Sequence, residues 1–361
     1  MPSPSSHLER LADVHRVARD RPYTAHAALR SVRQATDRGG AGYWDLVLED
    51  ASAKIPAKIW GDSRAFAEAA TSELREDMVV KVMFTIGTYK DALQLTLLRI
   101  RSAADDEGWT VEAIRGEGFE LIADLRCSTL VFDIETVPAV DPAALPEAIA
   151  KNLARTAERW HEGDEAKVMG LSPYFGKVVS LAIGDGDRAP EDQTITVLTV
   201  APPKSESEAK SDAPVAELPS WIRPMSEAEL LRSFWHLANH ADLVVSYNGR
   251  GFDVPFLQVR SLVHDIAARV DLMSRPHSLR PHLDLYRLLG QGRAGSTSLD
   301  VVCWALGVPS PKIHMDGSQV GPAYARGEIE AIAEYNAADV RATIAVYQQV
   351  RDRLLTYRAD W

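Results

Sequence analysis

Cysteine is nearly absent: Cys127 and Cys303 are the only two in 361 residues. That excludes a disulfide framework and a cysteine-rich zinc site, and makes a reducing, cytoplasmic compartment the expectation. Long apolar runs are missing too. No window approaches the roughly 18 uninterrupted apolar residues of a membrane helix, so no membrane contact is expected. The opening MPSPSSHLER has neither a basic stretch nor an apolar core, which argues against a secretory signal. An excess of positive charge is lacking as well; the net charge is −11. The deficit is uneven, with 15 Lys+Arg against 13 Asp+Glu in residues 1–103 and 25 against 38 in the remainder. Acidity disfavours tight non-specific DNA binding, but carboxylates that hold cations would have part of their charge offset.

What is present is ordinary globular material, 46% hydrophobic and 25% charged, in a chain long enough for about two domains. Leu8–Arg19 reads as a short amphipathic helix, followed by a strand at Ala27–Gln34. Tyr43–Glu49 alternates, with Trp44, Leu46 and Leu48 on one face. Lys54–Trp60 does the same, with Ile55, Ala57 and Ile59 on one face and Lys54, Lys58 and Trp60 on the other. Ser63–Leu74 reads as a helix capped by Asp62 or Ser63, and Val79–Ile86 and Ala92–Arg101 as strands joined by a turn at Gly87–Asp91. Three strands, a helix and two strands is the element order of an OB-fold barrel. The stretch GYWDLVLEDASAKIPAKIW also resembles the second hairpin of OB-folds that accompany some bacterial nucleases. The outward face carries Tyr43, Lys54, Lys58 and Trp60, a mix that suits backbone contact with base stacking; domain-interface packing is the alternative use of such aromatics. The expected domain limits are 1–103 for the barrel with its short helix, 104–124 for a connector and 125–361 for a second domain.

The second domain opens with an apolar strand, Ser128–Glu135, and continues with strands at Lys177–Ile183 and Thr194–Val200. Residues 201–219 are low in complexity and lack aromatics, and read as a disordered insertion. From Ser226 onward helices dominate, broken by one short strand at Asp242–Ser246. This order predicts an α/β domain, a mixed sheet with helices on both faces.

Acids in a buried strand are costly, yet Asp133 and Glu135 sit in LVFDIETVP. Two residues apart, they point to one face, with Phe132 and Ile134 opposite. Paired carboxylates repel unless something positive lies between them; hard oxygen ligands select Mg²⁺ or Mn²⁺. Two acids facing solvent at a strand end is the plainer reading of this stretch alone. A second stretch, VVSYNGRGFDVPFL, runs from a strand through a turn at Asn248-Gly249 to a helix near Asp253, where Asp253 would serve equally as an N-cap. A third, EYNAADVRAT, puts Tyr335 and Asp339 four apart on one helix face, with Ala337-Ala338 small enough for close packing.

Taken together, Asp133-Ile-Glu135, Asn248-Gly249-x-x-Phe252-Asp253 and Tyr335-x-x-x-Asp339 resemble the three motifs of the DEDDy group of DnaQ-like, ribonuclease-H-fold 3′-5′ exonucleases. The second motif is most similar to that of the proofreading exonuclease of family-B DNA polymerases. SLDVVCWALGV and HLDLYRLL resemble the family's intermediate helices. The resemblance covers about residues 128–350 and implies a ribonuclease-H-like mixed sheet behind the barrel. It implies two divalent cations, Mg²⁺ or Mn²⁺, with Asp133 shared between them, Glu135 and Asp339 on one and Asp253 on the other. It also implies a water oriented by Tyr335, and contacts to the terminal nucleotides from Asn248 and Phe252. Tyrosine ionises near pH 10, so Tyr335 should position the water rather than deprotonate it. Arg250 is a candidate for a phosphate contact, as are Lys177 and Lys312, although an exposed turn arginine needs no such role. His236 and His240 have zinc-like spacing but no third ligand in view, and read as a solvated or core-edge pair.

The expected activity is hydrolysis of single-stranded DNA from its 3′ end to 5′-mononucleotides. A 3′-5′ exoribonuclease of the same fold is the nearest alternative, and a non-catalytic single-strand-binding protein the alternative of another class. No polymerase region is present, so proofreading would require a polymerase or repair partner.

Overall fold

The computed structural model describes residues 6–203, 218–275, 278–290, 297–309, 315–359 and 361. The expected insertion lies, over 204–217, outside the described residues, as does Lys312.

A single long strand organises the N-terminal unit. β1 (Ser6–His7) adds a short parallel edge to β2 (Tyr23–Thr36). The first half of β2 pairs antiparallel with β5 (Val79–Tyr89) and the second half with β3 (Gly42–Glu49). A register shift between Leu29 and Ser31 lets one strand serve both partners by bending. β3 pairs with β4 (Lys54–Trp60), β4 runs parallel to β6 (Ala92–Ser102), and β6 pairs with β5, so five strands close a barrel of OB type. The period-2 pattern fills the interior with Leu46, Leu48, Ile55, Ala57, Ile59, Val80, Val82, Phe84, Leu95 and Leu97. α1 (Arg64–Thr71) follows β4, capped by Ser63, whose Oγ accepts from Phe66 N at 3.2 Å. Lys90 and Asp91 both take positive φ in the tight β5–β6 turn, the backbone twist that suits a two-residue hairpin.

Two expectations change here. The N-terminal helix is only a 3-10 turn, Leu11–His15, because two buried side chains, Leu11 and Val14, anchor it while Leu8 is drawn towards the barrel edge. The expected connector is also largely part of the barrel unit. α2 (Val111–Arg115) is fixed by a hydrogen bond from Ala51 N to Ala113 O and by Arg115 on Asp77, and the chain divides into Met1–Phe119 and Glu120–Trp361.

The C-terminal unit is an α/β domain around a mixed six-stranded sheet, of ribonuclease-H-like type. Its central strand is β7 (Thr129–Pro138), after which come α3 (Glu147–Trp160) and α4 (Glu165–Leu171). β8 (Gly176–Asp185) pairs antiparallel with β7, β9 (Thr196–Thr199) antiparallel with β8, and β10 (Ile222–Pro224) parallel with β9. α5 (Glu227–His240) leads to β11 (Leu243–Ser246), parallel to β7; α6 (Asp253–Val263) leads to β12 (His282–Asp284), parallel to β11. α7 (Leu285–Gly290), α8 (Leu299–Leu306), α9 (Val320–Ala325) and the 25-residue α10 (Ile329–Arg353) complete the domain. Phe132 turns to the α5 side, with its ring 4.7 Å from that of Phe234, while α10 covers the other face. There Gly184 leaves room for α10, since a Cβ would lie 2.6 Å from Ile344 Cδ1 and that side chain would have to move. Among the described residues no helix is long and apolar enough to cross a membrane.

β12 corrects the sequence reading, which ran helix through HLDLYRLL. Its first three residues extend the sheet, and helix begins only at Leu285.

Candidate active site

β7 delivers Asp133 and Glu135 to the face covered by α10, opposite the small Ala182 and Ser180 of β8. From α10, Tyr335 and Asp339 come to the same place, one helical turn apart. α10 approaches closely because Ala337 is fully buried, and it is tied to β8 by Asn336, whose Nδ2 donates to Ser180 Oγ at 2.9 Å. One carboxylate oxygen each from Asp133, Glu135 and Asp339 lie within 4.8 Å of one another.

Asp253 is not part of that trio. Nor is it a helix cap: Phe252 occupies the cap position, and Asp253, the first residue of α6, accepts from Ile134 N on β7 at 3.2 Å. That bond holds its carboxylate against β7, near enough to Asp133 and Asp339 for their charges to act on one another. Burial raises Asp253 to about 7, with Asp284 and Asp339 adding, while the Ile134 bond pulls the other way. Burial likewise pushes Asp133 well above the ordinary carboxylate range, and the charges of Asp253, Asp339 and Glu135 push it further. Glu135 is raised by burial and then by Asp339 and Asp253. Tyr335 is raised too, by burial first and then by the surrounding carboxylates, and it hydrogen-bonds Asp339. Its hydroxyl is a neutral donor.

This donor set fits a hard divalent cation. All the ligating atoms are carboxylate oxygens, without a nitrogen or sulfur among them, and their mutual repulsion is what a cation would relieve.

The turn between β11 and α6 carries the remaining expected contacts. Asn248 adopts φ 66°, and its carbonyl accepts from Gly251 N and Phe252 N. The Phe252 ring is half-buried, 5.6 Å from that of Phe256. Arg250 departs from expectation: it is 3% exposed, and its guanidinium donates to His282 O at 2.8 Å and Met273 O at 3.4 Å. Its donors are engaged by backbone carbonyls, so it is an interior strut and not an exposed phosphate contact. Lys177 lies over the Tyr324 ring at 4.8 Å.

Sequence reasoning missed Asp284. It is 4% exposed, and accepts from Asn248 N at 2.9 Å, Tyr286 N at 3.1 Å and Arg250 N at 3.1 Å. The signal was available, an acid in the apolar stretch HLDL, the same anomaly that singles out Asp133.

In the barrel unit Lys58 is ringed by aromatics. Its ammonium lies 4.5 Å from the Tyr43 ring, 5.4 Å from Trp60 and 5.5 Å from Tyr89. Trp60 is 40% and Tyr89 57% exposed, so both offer ring faces to solvent. Tyr89, at the tip of the β5–β6 hairpin, was not anticipated.

Residues 194–356 match a family model described as a predicted 3′-5′ exonuclease related to the exonuclease domain of PolB. The match includes Asp253, Tyr335 and Asp339 and begins beyond Asp133 and Glu135. No curated protein matches the chain in sequence. Among solved structures, a family B DNA polymerase from the archaeon Pyrobaculum calidifontis is similar at 13% identity and a TM-score of 0.39, over 90% of this chain and 46% of that one. The chain thus spans about half the length of that polymerase. A replication protein A heterotrimer bound to ssDNA aligns over 22% of this chain and 56% of its own, at 22% identity and a TM-score of 0.18. The second OB-fold domain of replication protein A from Methanococcus maripaludis aligns over 23% of this chain and 83% of its own, at 15% identity and a TM-score of 0.19.

Proposed function

We propose that the chain is a DEDDy-type 3′-5′ exonuclease that hydrolyses single-stranded DNA to 5′-mononucleotides by two-metal phosphodiester hydrolysis. The observation that carries this reading is the meeting of Asp133, Glu135 and Asp339 within 4.8 Å, with Tyr335 bonded to Asp339, in a chain with a PolB-related exonuclease match. Asp133 would be shared by two cations, Glu135 and Asp339 would hold one, and Asp253 the other. When bound, Mg²⁺ or Mn²⁺ supplies acidification of water and neutralisation of charge on the transferring phosphoryl group. Tyr335, a neutral donor, orients the attacking water rather than taking its proton. Asn248 and Phe252 hold the terminal nucleotides. The barrel guides the strand through Lys58, Trp60, Tyr43 and Tyr89.

The test uses 5′-labelled single strands of DNA and RNA with Mg²⁺, Mn²⁺ or EDTA, alongside Asp133→Ala. The expected result is a ladder shortening from the 3′ end, stronger on DNA, and absent with EDTA or with Asp133→Ala. Binding without shortening in either metal would sink the enzyme reading, and shortening of RNA alone would replace the substrate.

A further inference from the structure

The turn that carries Asn248, Phe252 and Asp253 is held from one side by a three-residue strand, β12. Ser246 ends β11 and pairs in register with Asp284. Beyond it the chain enters the left-handed conformation at Asn248 and reverses into α6. Asn is the non-glycine residue that best tolerates this conformation, so the position of the turn is set by the groups that bond to it.

Two alternate side chains of β12 grip alternate residues of the turn. Asp284 accepts the N–H groups of Asn248 and Arg250, one on each carboxylate oxygen. His282, fully buried, has Nδ1 3.3 Å from Leu272 O and Nε2 2.8 Å from Ser246 Oγ, which in turn accepts from Gly249 N at 3.2 Å. The carbonyl on the Nδ1 side fixes the tautomer: Nδ1 donates, and Nε2 accepts from the serine hydroxyl. Burial and the Arg250 guanidinium push His282 down to about 3, so the ring stays neutral and the relay keeps its direction. Arg250 closes the arrangement by donating to His282 O. Gly249 is required where the turn meets this relay, since a Cβ would fall 2.2 Å from Ser246 Oγ.

We propose that β12 clamps the Asn248–Asp253 turn, with Asp284 and His282 as positioning residues that fix where the strand contacts and the Asp253 carboxylate stand. The catalytic part of this inference rests on the exonuclease reading; the structural part does not. Neither residue touches substrate in this scheme. Both act through the backbone of the turn, and a displacement of about 1 Å at such a turn costs about 10²-fold in rate.

The experiment compares the full chain with Asp284→Ala and Asp284→Asn by amide hydrogen exchange, kcat/KM on a short single strand, and Mn²⁺ half-saturation. In Asp284→Ala, exchange over residues 247–254 speeds about tenfold or more, as loss of a charge-assisted bond at two amides predicts, while the barrel keeps its protection. kcat/KM falls about 10²-fold, and Mn²⁺ half-saturation rises because Asp253 is no longer held. Asp284→Asn keeps one acceptor oxygen and lies between Ala and wild type in all three. A simple loss of stability would move neither the metal half-saturation nor the order of the two variants. Unchanged exchange over 247–254 in a folded variant overturns the clamp. Faster exchange with unchanged kcat/KM and half-saturation overturns the positioning role. Should Asp284→Ala not fold, Asp284→Asn carries the same comparisons. A wild-type chain that shortens no strand removes the exonuclease reading, and the exchange comparison then decides the clamp alone.

Discussion

Asp133 and its neighbours hold opposing demands. Burial and crowding raise their pKa values above those of free carboxylates, so the native state keeps protons that the unfolded chain releases above about pH 4. Between that pH and the raised values, the metal-free native state loses stability as pH rises, by about 1.4 kcal/mol for each unit of raised pKa. Asp133→Asn removes one of the charges. In EDTA it should therefore melt at a higher temperature than wild type at pH 7.5, with the difference shrinking towards pH 5. Wild type should gain melting temperature from Mn²⁺ at pH 7.5 and little at pH 5. Differential scanning calorimetry at the two pH values checks this; an Asp133→Asn protein less stable than wild type at pH 7.5 would show that the cluster is not strained without metal. Such a cluster was legible in sequence because acids are conspicuous in apolar strands. Arg250 was not legible: the sequence places it beside the second motif, but only the tertiary arrangement surrounds its guanidinium with backbone carbonyls.

Elements show the same divide between local and non-local information. The barrel strands were readable because seven or more residues of alternation record which face is buried, and β4 occupies Lys54–Trp60 as that alternation predicts. β12 was not readable, because three residues carry no period and its role comes from pairing with β11. The anchoring of α6 was invisible for a similar reason. Glu227 on α5, 8% exposed, accepts from Arg260 at 2.8 and 2.7 Å, from Val178 N on β8 at 2.9 Å, and faces His264 at 2.9 Å. It therefore ties α6, which begins at Asp253, to the sheet. Burial pushes Glu227 upward, but the bonds from Arg260, Val178 and His264 outweigh it and leave its pKa below the ordinary value. The sign is opposite to that of Asp133: this stability is present above the unfolded pKa of about 4.3 and is lost as pH falls through the lower folded value. Glu227→Gln leaves the Arg260 charge buried without its partner and should cost about 3–5 kcal/mol at pH 7. Urea titration should show that cost diminishing below about pH 4; a loss under about 1 kcal/mol at pH 7 would mean that the ion pair is as weak as a surface pair.

At the scale of the whole molecule, the proposed pairing of a single-strand barrel with a 3′-end nuclease on one chain would make binding depend on strand length. In that reading a strand engaged by both units would be held twice, the second contact being intramolecular, whereas a di- or trinucleotide would engage the nuclease alone. The proposed platform would need no rearrangement: Lys58 lies 4.5 Å from the Tyr43 ring, and Trp60 and Tyr89 keep exposed faces. Stacking of a base on an aromatic ring contributes about 1–3 kcal/mol, or about 5- to 150-fold in affinity. In the full chain, Trp60→Ala and Tyr89→Ala should therefore each raise KM for strands of tens of nucleotides by about that factor, leave kcat unchanged, and leave kcat/KM on dinucleotides unchanged. Lys58→Ala should add a different signature, reducing the slope of log affinity against log salt by about 0.7 for a lost phosphate contact on single strands. Steady-state kinetics across a series of strand lengths distinguishes the outcomes. A loss that is equal at every length would mean that the aromatic substitutions act on the nuclease and not on a separate platform. No loss at any length would assign Trp60 and Tyr89 to another surface of the protein's life, and with them the barrel.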